Sequence, residues 1–320
     1  MVRKDILVGV DIGGTKTAVV LSIEPPSVLE RIEFPTKQAK GPEPAVRLIK
    51  EGIHNLLTKH KLKPAAIGVS CGGPLDHLAG VIQAPPNLST WVDVPIKAIL
   101  EEEFGIPCRL ENDANAGAVA EHRFGAGQGC RNMVFLTMGT GLGAGIIADG
   151  HLYHGTNDFA GEIGHVRLTR SGPVGYHKAG SVEGWASGGG MAQVALKAVE
   201  AARRRKEPTL LAEILQRGKT LTAREVALAA GKGDATAIRI LRSTGKRLGA
   251  VLAILVDILN PERIVIGGLA MRLGDTLLGR AREVMQREAL PYSSAVCQVV
   301  PAALDERIGD VAALCVAMGF

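Results

Sequence analysis

The sequence is short of aromatic rings: Phe, Trp and Tyr together make up 3% of its 320 residues. Its interior must therefore rest on Val, Ile, Leu and Ala, within a hydrophobic content of 46%. No uninterrupted apolar run approaches the roughly 20 residues of a membrane helix, so no membrane partner is expected. The five cysteines (Cys71, Cys108, Cys130, Cys297 and Cys315) are odd in number and scattered, without CxxC or Cys/His ligand spacing. Reduced thiols in a cytoplasmic protein are expected, not a disulfide framework. A GxxxxGK[ST] phosphate loop is absent. So is strong charge of one sign, the formal balance being +5. The densest basic run, Arg203-Arg204-Arg205-Lys206, ends an Ala-rich helical stretch where cations favour the dipole. It reads as a solvated face, and no nucleic-acid partner is expected. The first residues, Met1-Val2-Arg3-Lys4-Asp5, run straight into a strand, unlike a signal peptide.

What the chain has in abundance is glycine, 40 residues in clusters, which points to tight turns and close backbone approach to ligands. Ile6-Leu7-Val8-Gly9-Val10 has the continuous apolar pattern of a buried strand. After it come Asp11, Ile12, Gly13, Gly14, Thr15 and Lys16, and then a second apolar strand. The two glycines let backbone N–H groups approach an anion, and Thr15 and Lys16 add donors. Asp11 is placed to hold Mg²⁺ through water. The same strand, Gly/Thr turn, strand unit recurs at Thr137, Met138, Gly139, Thr140, Gly141, Leu142 and Gly143. Two such hairpins, one in each half, suit the phosphates of one nucleotide. Further glycine turns end strands at Gly72-Gly73 and at Gly267-Gly268, the latter suited to adenine or ribose at close range.

One stretch organises the rest: Glu111-Asn112-Asp113-Ala114-Asn115-Ala116, between a strand at 107–110 and a helix that runs on through Ala120. A carboxylate at a strand-to-helix junction sits where α/β sheets bind ligands. Asp113 as a general base and Asn112 or Asp113 as a helix cap are both open readings of these residues. Glu162 and His165 lie together in a glycine-rich context, and Glu183 precedes a helix. Asn87 and Trp91 share a proline-led loop, suited equally to a sugar contact and to a surface loop packed on its own Trp.

Taken together these motifs resemble the ROK family (repressors, open reading frames, kinases) of the actin, Hsp70 and sugar-kinase superfamily, along nearly the whole chain. The resemblance implies an α/β fold of two actin-like (ribonuclease H-like) domains around a central cleft. Residues 1–117 plus 305–320 would form the smaller domain and 118–304 the larger, with the terminal helix packing back onto the first. It implies a homodimer using ATP and Mg²⁺. Asp11, Gly13, Gly14, Thr15 and Lys16 match the family's first phosphate turn, and Thr140, Gly141 and Gly143 its second. Gly267 and Gly268 would line the adenosine pocket. Asp113 matches the catalytic base, and Gly72, Asn87, Asn112, Glu162, His165 and Glu183 fall among the sugar-binding positions.

One departure stands out. Zinc-bearing members follow the histidine with CxCGxxGCxE, and aligning Glu183 with the last acid puts Val174, Tyr176 and Ser181 at the cysteine positions. Tetrahedral zinc needs thiolates or imidazoles, so no zinc is expected and Tyr176 is expected to pack in its place.

The expected activity is transfer of phosphate from ATP to the 6-hydroxyl of a hexose, glucose first, with Asp113 accepting the hydroxyl proton. N-acetylmannosamine, N-acetylglucosamine, fructose and allose are alternative acceptors, and polyphosphate an alternative donor. A repressor of the family needs a DNA-binding helix-turn-helix, for which the strand beginning at Ile6 leaves no room. A non-catalytic sugar sensor would be expected to lose Asp113 or a phosphate turn, and both are retained.

Overall fold

The computed structural model describes residues 6–319. The stretch 1–5, on which the expectation of no signal peptide rests, lies outside them. By compactness the chain divides into two units, Met1–Arg131 with Gly145–Ala160 and Ala303–Phe320, and Asn132–Ala144 with Gly161–Ala302. Residues 118–131, 145–160 and 303–304, expected on sequence in the larger domain, fall in the first unit.

In the first unit, β1 (Leu7–Ile12), β2 (Lys16–Ser22) and β3 (Glu30–Pro35) precede α1 (Glu43–His60) and β4 (Ala66–Cys71). The short hairpin of β5 (Leu75–Asp76) and β6 (Val81–Ile82), α2 (Ile96–Phe104), β7 (Cys108–Asn112) and α3 (Asp113–Phe124) follow. The sheet order is β3-β2-β1-β4-β7. β1 pairs antiparallel with β2 and parallel with β4, which pairs parallel with β7. Val8, Val10 and Ile12 pack with Ile49, Ile53 and Leu56 of α1, while Leu7 of the alternate face meets Leu314 and Ala317. Those two belong to α11 (Ile308–Met318), which lies on β1 and β4. A side chain at Gly9 would stand 3.1 Å from Leu314 N, so this glycine admits the helix backbone. Trp91 is fully buried in this core, so its loop packs on its own Trp.

The second sheet has the order β10-β9-β8-β13-β14. It is built from β8 (Met133–Met138), β9 (Leu142–Ala148), β10 (His151–Leu152), β13 (Arg263–Gly268) and β14 (Gln298–Pro301). Between β10 and β13 come the small hairpin of β11 (Val174–Gly175) and β12 (Lys178–Ala179) and five helices. These are α4 (Val182–Ala186), α5 (Gly188–Arg204), α6 (Leu210–Gln216), α7 (Ala223–Gly231) and α8 (Ala235–Leu259). After β13 come α9 (Leu269–Glu288) and α10 (Pro291–Val296). A Cβ on Gly245 would lie 2.7 Å from Leu277 O, and one on Gly249 2.5 Å from Ala281 O. Glycine at a one-turn spacing thus lets α8 approach α9 closely. Among the described residues no helix is long and apolar enough to cross a membrane. All five cysteines are buried, and none is joined in a disulfide.

Candidate functional site

In the first unit, register gathers the expected residues at one end of the sheet. Ile12 stands opposite Cys71, and Cys71 opposite Asn112. The turns leaving β1, β4 and β7 are therefore neighbours, at the sheet end where ligands bind in such folds. The β1–β2 turn is closed by Gly13 N donating to Lys16 O at 3.0 Å. Thr36, which no motif had singled out, braces it. Its hydroxyl donates to Gly13 O at 2.6 Å and lies 2.9 Å from the Thr17 hydroxyl, and its N–H donates to Thr15 O. This contact crosses from β3 to the turn, a pairing that local sequence does not reveal. A Cβ on Gly14 would meet Asn87 O at 2.6 Å and Asn87 Cβ at 2.7 Å, so the structure brings the first turn and the Asn87 loop together. Lys16 Nζ pairs with Glu33 Oε2 at 2.9 Å on an exposed face. Such an exposed pair is screened by water and weak, which leaves the lysine available to an anion.

The junction of β7 and α3 separates the two candidates for the cap. Asn112 is the cap: extended at φ −63° and ψ 139°, its Oδ1 accepts from Ala114 N at 2.9 Å and Asn115 N at 3.3 Å. Asp113 is the first helical residue, so its carboxylate is spared from capping. Gly72 borders it: a Cβ there would be 3.9 Å from Asp113 Oδ2, and one on Gly73 3.0 Å from Asn112 Nδ2. Asp113 is open to solvent by surface area, yet protein crowds it on most sides, and this desolvation raises its pKa. Its own and Ala114's backbone N–H groups act the other way. Asp11 is pushed up to about 7, first by burial and then by the charges of Asp113 and Asp310, with Arg31 and Lys16 opposing. The two carboxylates are thus electrostatic neighbours.

In the second unit, Gly139 N donates to Gly141 O at 3.0 Å to close the β8–β9 turn. The start of α5 supports it from behind: Gly188 N donates to Gly139 O at 2.8 Å and Gly189 N to Thr140 O at 3.1 Å. Ser187, to which the sequence alone assigns no role, caps α5 by accepting from Gly190 N at 3.0 Å. Glu183 Oε2 accepts from Leu142 N at 3.2 Å, and a Cβ on Gly164 would be 3.6 Å from Glu183 Cβ. The second turn, Glu183 and the Glu162–His165 turn therefore form one cluster. Glu162 and His165 lie exposed at either end of a short 3-10 turn, where His165 N donates to Glu162 O.

Gly267 and Gly268 stand opposite Thr137 and Met138, which puts them beside the second turn. Their lack of side chains has a packing reason. A Cβ on Gly267 would lie 3.1 Å from the Phe135 ring, and Gly268, at φ 71°, presses on the Met138 carbonyl. Along α9, which Gly268 opens, lies a cavity of about 1070 Å³ lined by residues including Leu241, Arg242, Lys246, Arg272 and Thr276. No motif had pointed to it.

The residues at the zinc-ligand positions do not fit the metal. Val174 has no donor atom and lies in β11. Tyr176 and His177 turn the hairpin at φ 41° and 61°, and the Tyr176 ring meets His165 edge-on at 5.8 Å. Ser181 is buried and committed as the cap of α4, accepting from Gly184 N at 3.1 Å. Tyr176 thus packs on the histidine, and hydrogen bonds take the place of ligation: Lys178 Nζ to His165 O at 2.8 Å and Trp185 Nε1 to Thr169 Oγ1 at 2.7 Å.

Comparison with known proteins bears on the chain as a whole. The model of the ROK family matches residues 7–318. A glucokinase of Halalkalibacterium halodurans is 37% identical over 289 residues, covering 89% of this chain and 86% of that protein. Among solved structures, a ROK hexokinase from Thermus thermophilus superposes with a TM-score of 0.81 at 30% identity, over 98% of both chains. A ROK family glucokinase from Streptomyces griseus, in complex with glucose and AMPPNP, gives 0.80 at 30% identity over 98% of this chain and 100% of that one.

Proposed function

We propose that this chain, which belongs to the ROK family, transfers the terminal phosphoryl group of ATP to the 6-hydroxyl of a hexose, glucose first. The observation that carries the reading is the state of Asp113: freed from capping by Asn112, bordered by Gly72, and raised in pKa by its surroundings. A sugar hydroxyl is a poor nucleophile until its proton has an acceptor, and positioned general bases contribute about 10²- to 10⁴-fold. Asp113 takes that proton as the hydroxyl oxygen bonds to phosphorus and the bond to ADP breaks.

Asn112, Asn87, Glu162, His165 and Glu183 hold the remaining sugar hydroxyls, converting binding energy into alignment. The turns at Gly13–Lys16 and Thr140–Gly143 bind phosphates through backbone N–H groups. Gly267 and Gly268 flank the adenosine, a role supported by their place beside the second phosphate turn. Asp11, the half-buried carboxylate near the end of β1, would hold the Mg²⁺ carried with ATP, which would supply positive charge to the phosphates. A homodimer completes the reading on the strength of the family resemblance. A cytoplasmic location is supported by the buried, reduced thiols.

The test is ADP release measured over glucose, N-acetylmannosamine, N-acetylglucosamine, fructose and allose, each with ATP and with polyphosphate. Glucose with ATP is expected to give the highest kcat/KM. Sugar-independent ADP release, or none with any hexose, would remove the reading.

A further inference from the structure

Glu111 precedes the Asn112 cap, and its side chain is 2% exposed. Oε1 accepts from Asn112 N at 2.9 Å and from Asn115 Nδ2 at 3.0 Å. Oε2 lies 2.8 Å from His154 Nε2. A carboxylate buried this deeply is costly unless both oxygens are satisfied, and His154 is the partner of the second. His154 is held in turn. Its ring stacks on His77, centroids 4.2 Å apart and planes 7° from parallel. His77 Nδ1 stands 2.7 Å from Asp158 Oδ2, an ion-pair approach without hydrogen-bond alignment, and the same oxygen accepts from His77 N at 3.1 Å. Asp158, His77, His154 and Glu111 thus make a continuous chain, within the first unit, from the loop after β10 to the start of α3.

This chain is more than the helix needs. Asn112 already caps α3 at two backbone N–H groups. What Glu111 adds is a grip on the residue before Asp113 and on the residue two positions after it. We propose that His154 is a positioning residue: by clamping Glu111 it fixes the turn of Asn112 to Asn115, and with it the aim of the Asp113 carboxylate. The proposal rests on the reading of Asp113 as base. The hydrogen bond to Glu111 holds the His154 imidazole above its ordinary pKa against burial, aided by the charges of Glu111 and Asp158. The ring is therefore a reporter of the clamp that does not depend on turnover.

His154→Ala is expected to lower kcat about 10- to 100-fold with ATP KM unchanged, the scale of a roughly 1 Å misplacement at a reacting centre. His154→Gln, whose amide reaches toward Glu111, should recover most of the loss. NMR titration of the full chain should show a raised His154 pKa that returns to the ordinary value in Glu111→Gln. A His154→Ala kcat within about twofold of wild type, no rescue by Gln, or an ordinary His154 titration would overturn the proposal. Asp113→Asn is assayed alongside. If it keeps wild-type kcat, the base assignment falls whatever His154 does. If it is inactive and His154→Ala is unaffected, only the positioning role falls.

Discussion

Glu183 Oε2 accepts a hydrogen bond from Leu142 N at 3.2 Å and stands 2.7 Å from where a Cβ on Gly141 would be. The acid proposed to hold sugar is thus also a wall of the turn proposed to hold phosphate. Glu183→Gln keeps an acceptor for Leu142 N, whereas Glu183→Ala removes it. The Ala variant should raise KM for both sugar and ATP, and the Gln variant for sugar alone. Losing one hydrogen bond to a charged group costs about 1.5–3 kcal/mol, roughly 10- to 100-fold in kcat/KM. Steady-state kinetics with each substrate varied checks this, and an unchanged ATP KM in Glu183→Ala would uncouple the acid from the turn.

The two glycine turns should respond differently to alanine. At Gly14 a Cβ meets Asn87 backbone, while at Gly139 nothing lies within 4 Å. Gly14→Ala is expected to lose about 1–3 kcal/mol of stability, as overpacked sites do, and Gly139→Ala to keep the wild-type urea midpoint. A rise in ATP KM for Gly139→Ala would then report the ligand itself, since the fold has room for the methyl group. Equal midpoints for the two variants would contradict the packing seen at Gly14.

Asp11 gives a stability prediction with a definite sign. Its folded-state pKa of about 7 lies above the ordinary 3.8, so folding favours the protonated form. That contribution is complete below pH 3.8 and is lost as pH rises toward 7. Asp11→Asn, which cannot ionise, should gain Tm relative to wild type as pH is raised across this window. A Tm difference independent of pH would show that Asp11 is not held in a raised state.

Zinc should be absent from the purified protein. Elemental analysis is expected to find no stoichiometric metal, and EDTA to leave Tm unchanged, because Ser181 and the Tyr176–His177 turn organise the loop by capping and packing. One equivalent of zinc per chain would contradict this.

Much of this architecture was legible in local pattern. The long helix Ala235–Leu259 and the short helix Ile96–Phe104 follow from apolar spacing and their Asn-Pro and Gly stops. Both phosphate turns announce themselves as glycines between apolar strands. Less legible was β3, whose residues alternate half-buried and exposed and are polar enough to pass for a loop. The helix α9 was hidden too, since it follows two glycines and carries a non-helical Gly274. In the site, Asp113 and Glu183 were readable as motif residues. Thr36 and the pairing of Glu111 with His154 depend on contacts between residues 23 and 43 apart in the chain, and Ser187 on cap geometry, which no linear spacing encodes. The division into units was only partly visible, because β9 carries the chain from one to the other in mid-strand.

The central claim is that Asp113 accepts the sugar hydroxyl proton. Asp113→Asn removes the base while conserving shape and leaving the Asn112 cap in place. Sugar-dependent ADP release by this variant should fall at least about 10²-fold, the lower range for a positioned base, while calorimetry still detects sugar binding. A rate within about tenfold of wild type, with binding intact, would contradict the assignment.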